Sequence, residues 1–209
     1  VVHVEGGPDP KRDADVVGIE LALRDLETVR TRKERVGRAA RTGDKAAKAE
    51  AAWLDRLEAA LDAGRPVRSL PELATDPELR ALAVTELSLL TAKPTLYVAN
   101  VAEDAMPDGP PKFVDAVREM AAAEGASVVV ISGKIESEAA QLGDDDRREF
   151  LESLGLKETG LSQLIRKGYE LLGLRTYFTA GPKEARAWTV RAGACAPEAA
   201  GVIHTDFER

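Results

Sequence analysis

A chain of 209 residues with 44% hydrophobic side chains can bury roughly 70% of its unfolded surface in one or two domains. Its net charge of −7 argues against a general nucleic-acid binder, and no apolar run of about 18 residues offers a membrane-spanning helix. The single cysteine, Cys195, cannot close an internal disulfide, and no secretory signal pattern opens the chain; both fit a reducing cytoplasm. His3 and His204 lie far apart and no Cys-x-x-Cys occurs, which leaves no structural zinc motif. The start "VVHVEGG", without an initiator methionine, and the end "HTDFER" read as cuts through a longer protein.

The charge is unevenly spread. From Arg24 to Lys48 there are nine Lys or Arg against four Asp or Glu, a local excess of +5 on an acidic protein. Such a segment is a candidate footprint for RNA or a ribosome, with Arg32, Lys33, Arg35 and Arg38 as its carriers. The plainer alternative is a solvated helix face.

In chain order, residues 18–41 have the spacing of a long helix, with Leu26, Val29, Val36 and Ala40 on one side. "TGD" at 42–44 predicts a stop, a turn and a new cap: Gly43 can take a left-handed conformation and Asp44 can cap the following helix. That second helix carries a stripe of Ala47, Leu54, Leu57 and Leu61 near a coiled-coil period. Together the two predict an antiparallel helical hairpin, followed by a short return helix over 77–90. After Pro94 the pattern alternates. "TLYVANV" predicts a strand, 110–125 a helix, "ASVVVIS" a second apolar strand, and "RREFLESLG" and "LSQLIRKGYELLG" two more helices. This is the signature of an α/β fold with a parallel sheet, where ligands sit at the carboxyl ends of strands. Asn100 and Ser132 both stand at such ends. Finally "TYFTA" and "ARAWTVRAG", joined by "GPKE", predict a β-hairpin, and a helix opens near "APEAAGV".

Three constellations are candidates for chemistry. Asn100 with Glu103 can read a base, since an amide both donates and accepts and a carboxylate accepts from N–H groups. An asparagine closing a strand with a glutamate in solvent is the alternative. Ser132-Gly133 ends a strand where glycine lets backbone approach a ligand. The adjoining "SGK" is not a phosphate loop: Gly-x-x-x-x-Gly-Lys-Ser/Thr would need glycine at Val128 and a hydroxyl residue at Ile135. His3, between valines, is either a structural histidine or a water-orienting group.

The stretches "HVEGGPDPKRDADVVGIELALRDLETV", "TAKPTLYVANVAED", "GLRTYFTAGPKEARAWTVRAG" and "APEAAGVIHTDFER" together resemble the YchF subfamily of Obg-like P-loop NTPases. The resemblance runs over essentially the whole chain with its spacing intact. It implies part of a P-loop NTPase parallel sheet with an inserted α-helical hairpin and the start of a β-grasp (TGS) domain. Residues 1–17 and 84–173 would belong to the nucleotide domain, 18–83 to the insertion and 174–209 to the TGS start. The phosphate-binding loop and the Mg2+ ligands would lie upstream of Val1, so this chain alone would hydrolyse nothing. Asn100-Val101-Ala102-Glu103 replaces the Asn-Lys-x-Asp by which related GTPases read guanine, a departure that YchF members share along with a preference for ATP over GTP. By resemblance Asn100 reads the adenine edge, Val101 packs near the base, Glu103 contacts the loop or base, and the backbone of Ser132 and Gly133 faces the purine. His3 would act in hydrolysis by orienting water. The implied partners are ATP and the ribosome or its RNA, with no membrane and no DNA specificity. A module that binds RNA or ribosomes, with the nucleotide site serving only as a switch, is the second expectation.

Overall fold

The computed structural model describes residues 7–208. They form two compact units, one running through Pro94 together with Asp115–Gly125, the other Thr95–Val114 together with the chain from Ala126 onward.

The first unit is built on a helical hairpin. Helix α1 spans Pro10–Arg41, eight residues longer at its start than the apolar spacing predicts. Asp9 caps it by accepting the Arg12 N–H at 3.1 Å, and Pro10 stands at the first helical position, where its missing N–H costs nothing. Gly43 turns the chain at φ +100°, and Asp44 accepts the N–H groups of Ala46 and Ala47 to open α2, Lys45–Asp62. Val29 of α1 and Leu54 and Leu57 of α2 are fully buried in the seam, together with Val67 from the chain that follows. Each such side chain contributes about 1.5–3 kcal/mol by leaving water.

Across the outer face of the seam, α1 cations meet α2 carboxylates. Arg30 binds Glu58 at 2.7 Å and Asp62 at 3.0 Å, Lys33 binds Asp55 at 2.5 Å and Glu58 at 2.7 Å, and Arg32 binds Glu50 at 2.5 Å. A second bond from Arg32 reaches Glu86 at 3.1 Å.

The return helix expected over 77–90 is shorter. After the brief α3, Glu72–Thr75, Asp76 caps α4, Pro77–Arg80, and the chain then widens into a π-helical turn over Ala81–Glu86. The helical path ends at Leu87, and Ser88 follows with φ +51°. The physical reason is a buried carboxylate. Asp25 of α1, 2% exposed, accepts the Leu90 N–H at 2.8 Å, the Thr91 N–H at 2.7 Å and the Thr91 hydroxyl at 2.7 Å. The Thr91 oxygen in turn accepts the Val67 N–H at 3.2 Å. Backbone donors that a longer helix would keep are bound instead to the hairpin.

In the second unit β1, Leu96–Asn100, and β2, Ser127–Ile131, pair in parallel with Asn100 opposite Ile131; helix α5, Pro111–Ala123, comes between them in the chain and from Asp115 on is counted with the first unit. Among the described residues this sheet has two strands. Val129 of β2 is 3% exposed but Val98 of β1 is 43% exposed, so the apolar strands are less covered than a full parallel sheet would be. Three helices follow: α6, Gly133–Ala139; α7, Asp144–Ser153; and α8, Gly160–Leu171. Glu136 of α6 accepts the N–H groups of Gly160 and Leu161, which fixes the start of α8. A Cβ at Gly160 would come within 2.5 Å of the Ile131 side chain, so this approach requires glycine.

The chain ends in an antiparallel hairpin, β3 (Leu174–Ala180) with β4 (Ala185–Arg191), and helix α9, Ala196–Ile203. Tyr177 of β3 donates its hydroxyl to the Ala199 carbonyl at 2.6 Å, tying helix to hairpin. No described helix is long and apolar enough to cross a membrane.

Candidate functional site

The parallel pairing brings the two strand ends together. Because Asn100 stands opposite Ile131, the residues just beyond each strand meet, and the Val101 N–H reaches the Ile131 carbonyl at 2.8 Å. Asn100, Val101, Glu103, Ser132 and Gly133, all singled out in the sequence, line one cleft of about 750 Å3, joined by Lys134 and Leu154. Its volume is that of a small-molecule site.

The Asn100 Oδ1 accepts the Gly133 N–H at 2.9 Å. A backbone donor fixes which way the amide points. Its Nδ2 has no protein partner among the described residues and remains a donor on an exposed side chain. Gly133 opens α6 directly at the strand end, a helix that periodicity did not reveal because it is seven residues long. A Cβ at Gly109 would lie 3.1 Å from the Val101 side chain and 2.5 Å from that of Val114, so glycine there is what lets the loop close against Val101.

Glu103 does not stand free. Its carboxylate is paired with the Lys134 ammonium, which also lies 3.9 Å from Glu138. The hydrogen bond it donates to Glu103 holds the Lys134 ammonium above the ordinary lysine range. The "SGK" lysine is therefore part of this cleft, although it belongs to no phosphate loop; its signal was its place three residues past the end of β2.

Ser132 is 1% exposed, and its hydroxyl is buried without a hydrogen-bond partner. A buried hydroxyl left unpaired is uncommon in a folded protein.

His3 lies outside the described residues. The four hairpin cations divide. Arg32 and Lys33 are bound to carboxylates of their own unit, and those bonds hold both above their ordinary ranges. Arg35 and Arg38 are exposed and without a partner among the described residues. Among those residues no group of three or more His, Cys, Asp or Glu is placed to hold a metal ion.

The family model YchF-GTPase_C, described as a protein of unknown function (DUF933), matches residues 174–209. The chain is 47% identical over 209 residues to the ribosome-binding ATPase YchF of Escherichia coli, covering all of this chain and 56% of that protein. It is 35% identical over 213 residues to Obg-like ATPase 1 of Rattus norvegicus, covering all of this chain and 53% of that protein. The solved structure of the Schizosaccharomyces pombe YchF GTPase superposes with a TM-score of 0.82 at 32% identity, covering all of this chain and 56% of that one. The chain thus spans about half the length of the relatives it matches. From end to end, in sequence and in fold, this chain matches about half of a YchF protein.

Proposed function

We propose that this chain carries the base-reading part of an Obg-family nucleoside triphosphatase that binds and hydrolyses ATP and works on the ribosome. The carrying observation is the Asn100–Gly133 bond: it turns Oδ1 to the backbone and leaves Nδ2 without a protein partner, so what the amide chiefly offers a cleft ligand is a donor. The matching acceptor on a purine edge is N7, which adenine and guanine share. Asn100 then selects a purine, and the choice between ATP and GTP falls to Glu103 and Lys134. Val101 packs beside the base, and the backbone of Ser132 and Gly133 faces it.

The fit to a nucleotide is partial. The residues present suit a base; the phosphates need a cradle of backbone N–H groups with a lysine, and this sequence contains no such loop. Under this reading the loop and the Mg2+ ligands come from sequence the longer relatives have, Mg2+ supplies charge neutralisation at the phosphates, and His3 orients water. The 209 residues alone would then be inactive. Residues 174–209 begin a β-grasp (TGS) domain, and the cytoplasmic location follows from the ribosomal partner. That partner is suggested by the name of the E. coli relative. A switch that binds ribosomes without needing hydrolysis is the second reading, favoured by the cations left free on the hairpin.

The test is ATP binding by the natural full-length protein, measured calorimetrically, beside Asn100→Ala. The expected loss is roughly tenfold, the weight of one hydrogen bond to the base. An unchanged Kd overturns the base-reading assignment.

A further inference from the structure

The basic run of α1 and α2 is two surfaces, not one. In the stem, Arg24 pairs with Glu27, and Arg30, Arg32 and Lys33 are absorbed by α2 and Glu86. At the tip, Arg35, Arg38, Arg41, Lys45 and Lys48 are exposed and without a partner among the described residues. The tip's two carboxylates compensate poorly. Asp44 is engaged in capping α2, which leaves Glu34.

Part of this has an internal reason. Arg38 and Arg41 lie in the last turn of α1, where free carbonyls favour cations. Lys45 does not share it: it is the first residue of α2, at the end where N–H groups disfavour a cation, and no acid stands in that first turn. Nor do Arg35 and Lys48. The fold therefore sets Arg35, Lys45 and Lys48 where it gains nothing from them, near the end of an arm that reaches about 24 Å beyond the Asp25 anchor at 1.5 Å per residue.

We infer that this tip binds the phosphate backbone of ribosomal RNA. Residues 34–48 contain no aromatic, Asn or Gln side chain, so the surface carries neither a stacking platform nor an amide for base edges. It offers point charges and guanidinium forks, which suit phosphates. The interaction is then independent of sequence and strongly salt-dependent. The identity of the RNA rests on the ribosomal partner proposed above.

The experiment uses the natural full-length protein, with an RNA duplex and salt-washed ribosomes as probes, between about 50 and 200 mM salt. Changing all five tip cations to Gln should weaken binding to both at least tenfold and lower the salt slope by roughly one unit for each phosphate that is no longer neutralised. Lys45→Gln with Lys48→Gln, a milder variant, should lower it by about two. ATP affinity should stay unchanged in both, which separates this idea from the base-reading one. An unchanged slope overturns the inference. Abolished ribosome binding with duplex binding and its slope unchanged also overturns it, since a ribosomal protein would then hold the tip. Tip-dependent binding of the duplex without ribosome binding upholds the phosphate site and overturns the ribosomal partner.

Discussion

The Asn100 side-chain oxygen and the Gly133 backbone N–H, 33 residues apart, lie 2.9 Å from each other because the parallel register sets Asn100 opposite Ile131. One bond joins the two strand ends and orients the amide. Asn100→Asp keeps an acceptor for Gly133 but removes the Nδ2 donor and adds a charge. It should preserve the fold, holding the thermal midpoint within a few degrees, while weakening purine binding by about 2 kcal/mol or more. Equal ATP affinity in Asn100→Asp and the parent would show that the amide does not read the base.

Glu103 and Lys134 supply the second measurement. Guanine is read by a carboxylate that accepts its ring and amino N–H groups, and here the carboxylate is already paired with an ammonium. Lys134→Ala frees it. Because the pair is exposed, the effect is modest: GTP affinity should rise relative to ATP by roughly two- to fivefold in competition binding. A constant ratio would assign the discrimination elsewhere in the cleft.

Ser132 separates stability from binding. Its hydroxyl is buried without a partner, so Ser132→Ala should stabilise the free protein by up to about 1 kcal/mol in urea unfolding. If the hydroxyl completes its bonding when nucleotide enters, the same variant loses ATP affinity. Both signs in one variant would mark a group kept for a ligand; a stability gain with full affinity would leave it a packing residue.

Local features were legible in the sequence. The Gly43 turn and the Asp44 cap follow from the conformational freedom of glycine and from the carboxylate's reach to the next N–H groups, and both occur as expected. The two apolar strands and the Gly181–Glu184 connection of β3 to β4 are equally local. The place of Asn100 and Glu103 at a strand end is legible too, because it is positional, and both line the cleft there. What escaped was non-local. The partners of Asp25 lie 65 and 66 residues away, so it counted as one charge in a basic run. The division of that run depends on carboxylates across the hairpin, which no one-dimensional charge count can pair. Two local signals were also passed over: Asp9 with Pro10, which start α1 early, and Lys134, set aside with the failed phosphate motif.

The stem has a predictable acid response. Lys33 and Arg30 hydrogen-bond Glu58 and hold its carboxyl below the usual carboxylate range. A carboxyl depressed on folding adds stability above its unfolded pKa, and that stability is lost as pH falls through the folded value. The loss therefore starts in the ordinary carboxylate range near pH 4.5 and grows below it. Glu58→Gln should remove about 1 kcal/mol or less at neutral pH and flatten this part of the acid limb. A parallel decline in both proteins down to pH 3 or so would mean that other carboxylates dominate.

Asp25 carries the largest predicted cost. Its carboxylate accepts three donors in a site only 2% exposed, and Thr91 passes the connection on to Val67. Asp25→Ala takes the acceptor from the Leu90 N–H and strands the buried Thr91 N–H and hydroxyl, and it should cost about 3–5 kcal/mol in urea unfolding. Asp25→Asn keeps one accepting oxygen and should lose about half of that. The local consequence is more specific than the total. Leu89 and Ala92 join the hairpin core beside the turn that Asp25 holds. Amide exchange at Leu90 and Thr91 should therefore accelerate in Asp25→Asn before the whole unit unfolds. If those two amides exchange only with global unfolding in the variant, the carboxylate adds to the stability of the unit as a whole and does not fasten this turn to the hairpin.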